Sequence, residues 1–159
     1  MQRLLLLFFV ISLNLLKSQD AIEPVKWNFS YEVISDSTIA LKFEAKIEDN
    51  WHMYSQFIEN EPPLSTMFLF EEEPYSSILK VSEGESIISY DPIFEKDLKY
   101  FEKNALFELE IQINDSIDSI SGTVEYQACD DKLCVFRSEP FNFSLKNNVV
   151  SKSVSIDEK

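Results

Sequence analysis

"TIALKFEAKI", Thr38 to Ile47, alternates without a slip. Ile39, Leu41, Phe43, Ala45 and Ile47 share one face, while Thr38, Ala40, Lys42, Glu44 and Lys46 share the other. A period of two is the signature of a half-buried β-strand, because successive side chains in an extended chain point to opposite faces. "LFELEIQI", Leu106 to Ile113, repeats it, with Phe107, Leu109, Ile111 and Ile113 facing in. "FNFSL" places Phe141, Phe143 and Leu145 in phase, and the stretch from Val25 does the same with Trp27, Phe29, Tyr31 and Val33.

Turn signals separate these runs: Asp49-Asn50, Glu61-Pro62-Pro63, Glu73-Pro74, Glu83-Gly84, Asp91-Pro92 and Asn114-Asp115. Many short strands with regular breaks predict an all-β, antiparallel sandwich. No segment carries a convincing long helical period. "IFEKDLKYFEKN", Ile93 to Asn104, reads either as a helical turn or as a loop leading into a strand.

The N-terminus predicts the compartment. Arg3 precedes an apolar run from Leu4 to Leu16, and Ser18 and Gln19 follow. That order is the grammar of a secretory signal, here residues 1–19. The run is short of the ~20 residues that a membrane span needs. The expected division is then a domain over 20–146 and a polar tail over 147–159. Loss of residues 1–19 removes Arg3 and Lys17 and no acid, which deepens the net charge from −14 to −16. Such acidity argues against nucleic acid, whose phosphates call for a basic footprint. Two glycines in the whole chain leave no phosphate-cradling loop and no dinucleotide fingerprint.

The chemistry must come from elsewhere, and the two cysteines stand out. In "GTVEYQACDDKLC", Gly122 to Cys134, Val124, Tyr126 and Ala128 alternate with Thr123, Glu125 and Gln127. The cysteines then flank Asp130–Leu133 as the four-residue loop of a β-hairpin. Directly opposed strand positions are about 4.5–5.5 Å apart at Cα, which a disulfide can span. A bond closing so short a loop is a weak staple, since chain-entropy stabilisation grows with loop length. Three uses compete at this point: a hairpin staple, a metal clip and an exchanging thiol pair. Structural zinc needs four ligands, and the single histidine, His52, is distant in sequence. A cysteine protease needs a positioned His and a third group, and no protease-like signature surrounds either cysteine. Asp130 and Asp131 set negative charge beside both sulfurs, which disfavours the thiolate.

The stretch resembles the redox motif of the N-terminal periplasmic domain of DsbD-type thiol–disulfide interchange proteins: a strand ending in Tyr-Gln-Ala/Gly-Cys, a short acidic loop and a second Cys. "NWHMYSQ", Asn50 to Gln56, is similar to that family's Gly-Trp-His-hydrophobic-Tyr-Ser block. "YDPIFEKDLKYF", Tyr90 to Phe101, resembles its Asp–aromatic–Tyr-Phe segment. The resemblance spans roughly Val25 to Leu145. It implies an immunoglobulin-like β-sandwich with a reversible Cys129–Cys134 disulfide as its centre. It implies a periplasmic electron carrier that needs no cofactor and no metal. Its donor would be a membrane-embedded or thioredoxin-like thiol–disulfide reductase, and its acceptors oxidised periplasmic client proteins, with cytochrome c biogenesis one process served. Asp91, Ile93 and Phe94 match the family's cap over the cysteines. Trp51, His52, Tyr54 and Tyr126 are further candidates for lining the site. Asn50 departs from the family's Gly, and Val135-Phe136-Arg137 departs from its Leu-Pro-Pro. Neither a membrane domain nor a Cys-x-x-Cys thioredoxin domain appears in the sequence, so the implied donor is a separate protein. The competing expectation is an immunoglobulin-like secreted binding or scaffold module whose hairpin disulfide is inert.

Overall fold

Among the described residues there are ten strands: β1 (Val25–Ser35), β2 (Thr38–Ile47), β3 (His52–Tyr54), β4 (Met67–Phe70), β5 (Ser77–Glu83), β6 (Ile87–Asp91), β7 (Lys96–Glu102), β8 (Asn104–Gln112), β9 (Ser119–Cys129) and β10 (Cys134–Ser144). The computed structural model describes residues 22–58, 62–71, 77–114 and 116–145, and among these there is no helix. The signal sequence expected over 1–19 and the tail expected over 147–159 lie outside the described residues.

Every pairing is antiparallel. One sheet has the order β1-β2-β8-β5, and the other β10-β9-β3-β7-β6 with β4 also on β9. The two form an immunoglobulin-like sandwich. β9 is its spine: it pairs with β10 along eleven positions, and on its other edge with β4 at Gly122–Glu125 and then with β3 at Ala128–Cys129.

The core follows the period of two. Ile39, Leu41, Phe43, Ala45 and Ile47 are all buried, as are Phe107, Leu109, Ile111, Val124, Phe141 and Phe143. A cluster of rings fills the centre, with Phe43 meeting Phe68, Phe141 and Phe143 at centroid distances of 4.4, 5.1 and 5.4 Å. Val33 departs from the expected phase and is 54% exposed. A bulge between Val33 and Ser35 breaks the register just before the tight turn at Asp36-Ser37, leaving this end of the edge strand outside the core. Gly122 sits where β4 crosses closely: a Cβ there would lie 2.2 Å from the Leu69 carbonyl oxygen and 2.6 Å from Phe141 Cζ.

The segment from Ile93 to Asn104 is a turn over Pro92–Glu95 followed by β7, so the strand alternative holds. Asn50 has a φ of +67°. Asparagine tolerates this left-handed geometry better than other side-chain-bearing residues, which explains how it stands where the resemblance expects glycine. The sheets are also tied across their edges. Glu83 of β5 ion-pairs with Lys99 of β7 at 2.7 Å and accepts from Ser55 Oγ at 2.7 Å and from the Gln56 amide at 3.2 Å.

Candidate redox site

Strand parity creates a second, smaller cluster. On β3, Met53 points into the sandwich and Tyr54 points away; on β9, Ala128 points in and Cys129 away; on β7, Phe101 points in and Leu98 and Tyr100 away. The outward residues gather over one end of the sheet as Tyr54, Leu98 and Cys129, with Ile58, Phe94, Tyr100 and Cys134 packed against them. This patch would be solvated in a simple sandwich. Here the β6–β7 turn and the chain following β3 cover it.

Cys129 and Cys134 are directly paired across the hairpin, with Cα atoms 4.0 Å apart, and form a disulfide. The hairpin loop is Asp130–Leu133, as the sequence predicts. The two sulfur-bearing residues are unequal: Cys129 is fully buried, whereas Cys134 is partly exposed. Asp130 explains the tightness of the loop. Its Oδ1 accepts the Lys132 and Leu133 amides at 2.8 Å each, and its own amide donates to the Leu133 carbonyl at 3.0 Å. The amides of Leu133 and then Lys132 hold the Asp130 carboxyl below its usual range. Asp131 is exposed beside a hollow of about 300 Å³ that Trp51, His52, Glu48 and Glu102 also line.

Three candidate residues meet above Cys129. The Tyr54 hydroxyl donates to Asp91 Oδ2 at 2.6 Å and stands 3.5 Å from Cys129 Sγ. His52 Nε2 lies 3.0 Å from the same hydroxyl and 3.8 Å from Asp91. The phenol has one hydrogen, and the short contact gives it to the carboxylate, so the His52 contact requires the proton on Nε2. Burial, then the Asp91 bond, push the Tyr54 phenol well above its ordinary range. Burial lowers the His52 pKa, with Asp91 the leading opposing influence. Asp91 Oδ1 accepts the Ile93 and Phe94 amides at 2.8 and 3.2 Å, which shapes the turn. That turn lays Phe94 edge-on to Tyr54 at 5.8 Å, over the sulfurs, while Ile93 points to solvent.

The remaining two candidates fall on the other side of the sheet. Tyr126 is two-residue phase with Ala128, so it points into the main core, where its ring meets Trp27 at 5.5 Å. Burial pushes its phenol up to about 12, the Trp27 indole opposing. Trp51 likewise packs against the main core, in phase with Met53. Their parity alone separates both from Cys129.

Sequence reasoning missed Gln127. It precedes Cys129 by two positions and shares its face, a relation that the alternation itself contains. Its Oε1 accepts the Leu64 amide at 3.0 Å and its Nε2 lies 3.7 Å from Cys129 Sγ. It also missed Leu98, Tyr100 and Ile58, whose apolar contact with the cysteines depends on how the chain folds over the sheet. Among the described residues, no three His, Cys, Asp or Glu side chains gather as a metal-holding group.

The family described as "Thiol:disulfide interchange protein DsbD, N-terminal" matches residues 19–145. No curated protein matches the sequence. A solved structure shares the fold. The N-terminal periplasmic domain of ScsB from Proteus mirabilis matches with a TM-score of 0.62 at 15% identity, over 82% of this chain and 49% of that one. This chain therefore spans about half the length of that structure's chain. The reduced DsbD N-terminal domain of Neisseria meningitidis matches at a TM-score of 0.48 and 13% identity, over 89% of this chain and 94% of that one. The complex between the DsbD N-terminal and PilB N-terminal domains from Neisseria meningitidis matches at 0.47 and 13%, over 84% and 93%.

Proposed function

We propose, from the premise that this chain belongs to the family of N-terminal domains of the thiol:disulfide interchange protein DsbD, that it is a periplasmic carrier passing reducing equivalents through a reversible Cys129–Cys134 disulfide. The observation that carries the proposal is the inequality of the two sulfurs. A partner can reach Cys134 while Cys129 stays enclosed by Tyr54, Leu98 and Phe94. A bond with one accessible end has a defined order of exchange.

The partner's thiolate attacks Cys134 Sγ, and the Cys129–Cys134 bond breaks with its electron pair left on Cys129. The partner's second thiol then releases the mixed disulfide, so the carrier leaves with two thiols and the partner with one disulfide. Delivery runs the same steps backwards: Cys134 attacks an oxidised client, and Cys129 resolves the mixed disulfide. The hairpin keeps the sulfurs opposed in either state, which supplies proximity without a cofactor. The donor is a membrane-embedded or thioredoxin-like thiol–disulfide reductase, and the acceptors are oxidised periplasmic proteins. The family match and the signal-like order of residues 1–19 in the sequence support the periplasmic setting.

The deciding experiment equilibrates the purified domain against glutathione or dithiothreitol buffers and traps the thiols. The expected potential lies between roughly −120 and −270 mV, the range of exchanging pairs. A value well below about −300 mV makes the bond a structural staple and gives the molecule to the binding-module alternative.

A further inference from the structure

We infer that Gln127 is a catalytic residue of the exchange, its side-chain N–H stabilising the charge that forms on Cys129 when the disulfide opens. The inference rests on the interchange proposal above, in which Cys129 is the leaving thiolate when the disulfide opens and the resolving thiolate when it closes.

The geometry assigns the carboxamide its orientation. The Leu64 amide is a donor, so the Gln127 atom that it meets at 3.0 Å is the carbonyl oxygen. The NH₂ group must then be the end that lies 3.7 Å from Cys129 Sγ. A freely rotating side chain would spend its time in water; this one is held at its far end and aimed at the sulfur. Among the described residues, the other polar side chain beside Sγ is Tyr54, whose hydroxyl at 3.5 Å has its single hydrogen engaged by Asp91 at 2.6 Å. Among the described side chains at the sulfur, Gln127 is thus the one with a hydrogen to offer it.

Cys129 needs such a donor because its surroundings oppose a negative charge. It is fully buried, and burial disfavours the thiolate. Asp91, Asp130 and Asp131 stand around the hairpin end, and carboxylates raise the cost further. A neutral amide can stabilise a thiolate there without introducing a cation that would bind the carboxylates instead. In the balanced step, the partner's thiolate forms a bond to Cys134 Sγ, the old S–S bond breaks, and the electron pair settles on Cys129 Sγ. The Gln127 N–H contact strengthens as that charge appears, since hydrogen bonds to ionised groups are the stronger ones.

The test uses the purified chain with Cys134→Ser, which leaves Cys129 as its lone thiol, and follows thiolate absorbance against pH. Gln127→Glu keeps the acceptor for Leu64 but has no N–H, and Gln127→Leu removes the donor without adding charge. Both are expected to raise the Cys129 pKa, by about one unit or more for Gln127→Leu and further for Gln127→Glu. With Cys134 restored, both variants should be reduced by dithiothreitol about tenfold more slowly. An unchanged Cys129 pKa in Gln127→Leu overturns the inference, and a rise confined to Gln127→Glu does so too, because it reports only the added charge. Should Gln127→Leu fail to fold, Gln127→Met takes its place. The pKa readout is independent of any partner: a wild-type potential in the structural-disulfide range would remove the interchange proposal while leaving the effect of Gln127 on Cys129 separately measurable.

Discussion

Tyr54 donates its hydroxyl hydrogen to Asp91 at 2.6 Å, and this bond joins the strand beneath the disulfide to the turn above it. Asp91 is only 5% exposed, so its Oδ2 depends on that donor. Tyr54→Phe keeps the ring and strips the hydrogen. The oxidised variant should lose about 1–3 kcal/mol, the cost of a buried acceptor left unpaired, with the loss read from urea unfolding. An unchanged midpoint would mean that the bond contributes nothing to holding the turn.

Phe94 and Ile93 are neighbours with opposite fates. Phe94 packs against the cysteine cluster, and Ile93 is 49% exposed. Phe94→Ala should expose the disulfide and speed its reduction by dithiothreitol about tenfold, equivalent to about 1.4 kcal/mol of lost cover. Ile93→Ala should leave the rate unchanged. Equal effects would show that the turn acts as a whole, with no one ring as its cover.

His52 gives the fold a pH dependence with a definite sign. Its folded pKa is lowered by burial, against the pull of Asp91, Glu102, Asp131 and Asp130. Below about 6.5, the unfolded chain takes up a proton that the folded one still refuses. Stability therefore rises with pH between the lowered folded value and about 6.5, and its full contribution is present above that. Subtracting the urea-unfolding profile of His52→Gln from that of the wild type should isolate this slope. Superimposable profiles would rule out a desolvated His52.

The disulfide itself should add little stability. Closing so short a loop removes about 2 kcal/mol of chain entropy at most. The hairpin is held without it, by nine further register pairs between β9 and β10 beyond the first two. Reduction should lower the unfolding free energy by no more than that amount and leave the far-ultraviolet circular dichroism intact. Unfolding on reduction would contradict a bond meant to open and close.

Gly122→Ala should be the most damaging single-methyl change among the two glycines. The new Cβ would press on backbone of β4, with Leu69 O at 2.2 Å and Phe70 Cα at 3.0 Å. Gly84→Ala meets nothing closer than 3.7 Å. Thermal melts should separate the two by at least about 2 kcal/mol; a tolerated Gly122→Ala would require β4 to move off β9.

The strands and the core were legible because one apolar face per strand is a local pattern. Thr38–Ile47 and Asn104–Gln112 follow it almost residue for residue. The hairpin with its paired cysteines was legible for the same reason. The site was harder, because the sheet buries apolar residues on both faces at this end. A simple sandwich leaves Tyr54, Leu98 and Cys129 outside, so alternation gives no hint that the chain returns to cover them. Tyr126 and Trp51 looked equally promising by chemistry and were separated from the cysteines by parity. Gln127 was available from that same parity and went unread, since a polar residue on an outward face normally signals only solvent.

The sheet that holds the disulfide has a core on one side and chemistry on the other, and neighbouring positions on a strand alternate between them. Adjacent residues such as Met53 and Tyr54, or Ala128 and Cys129, consequently meet different physical constraints. A substitution at one parity therefore acts on the surroundings of the disulfide, and one at the other acts on the packing of the main core.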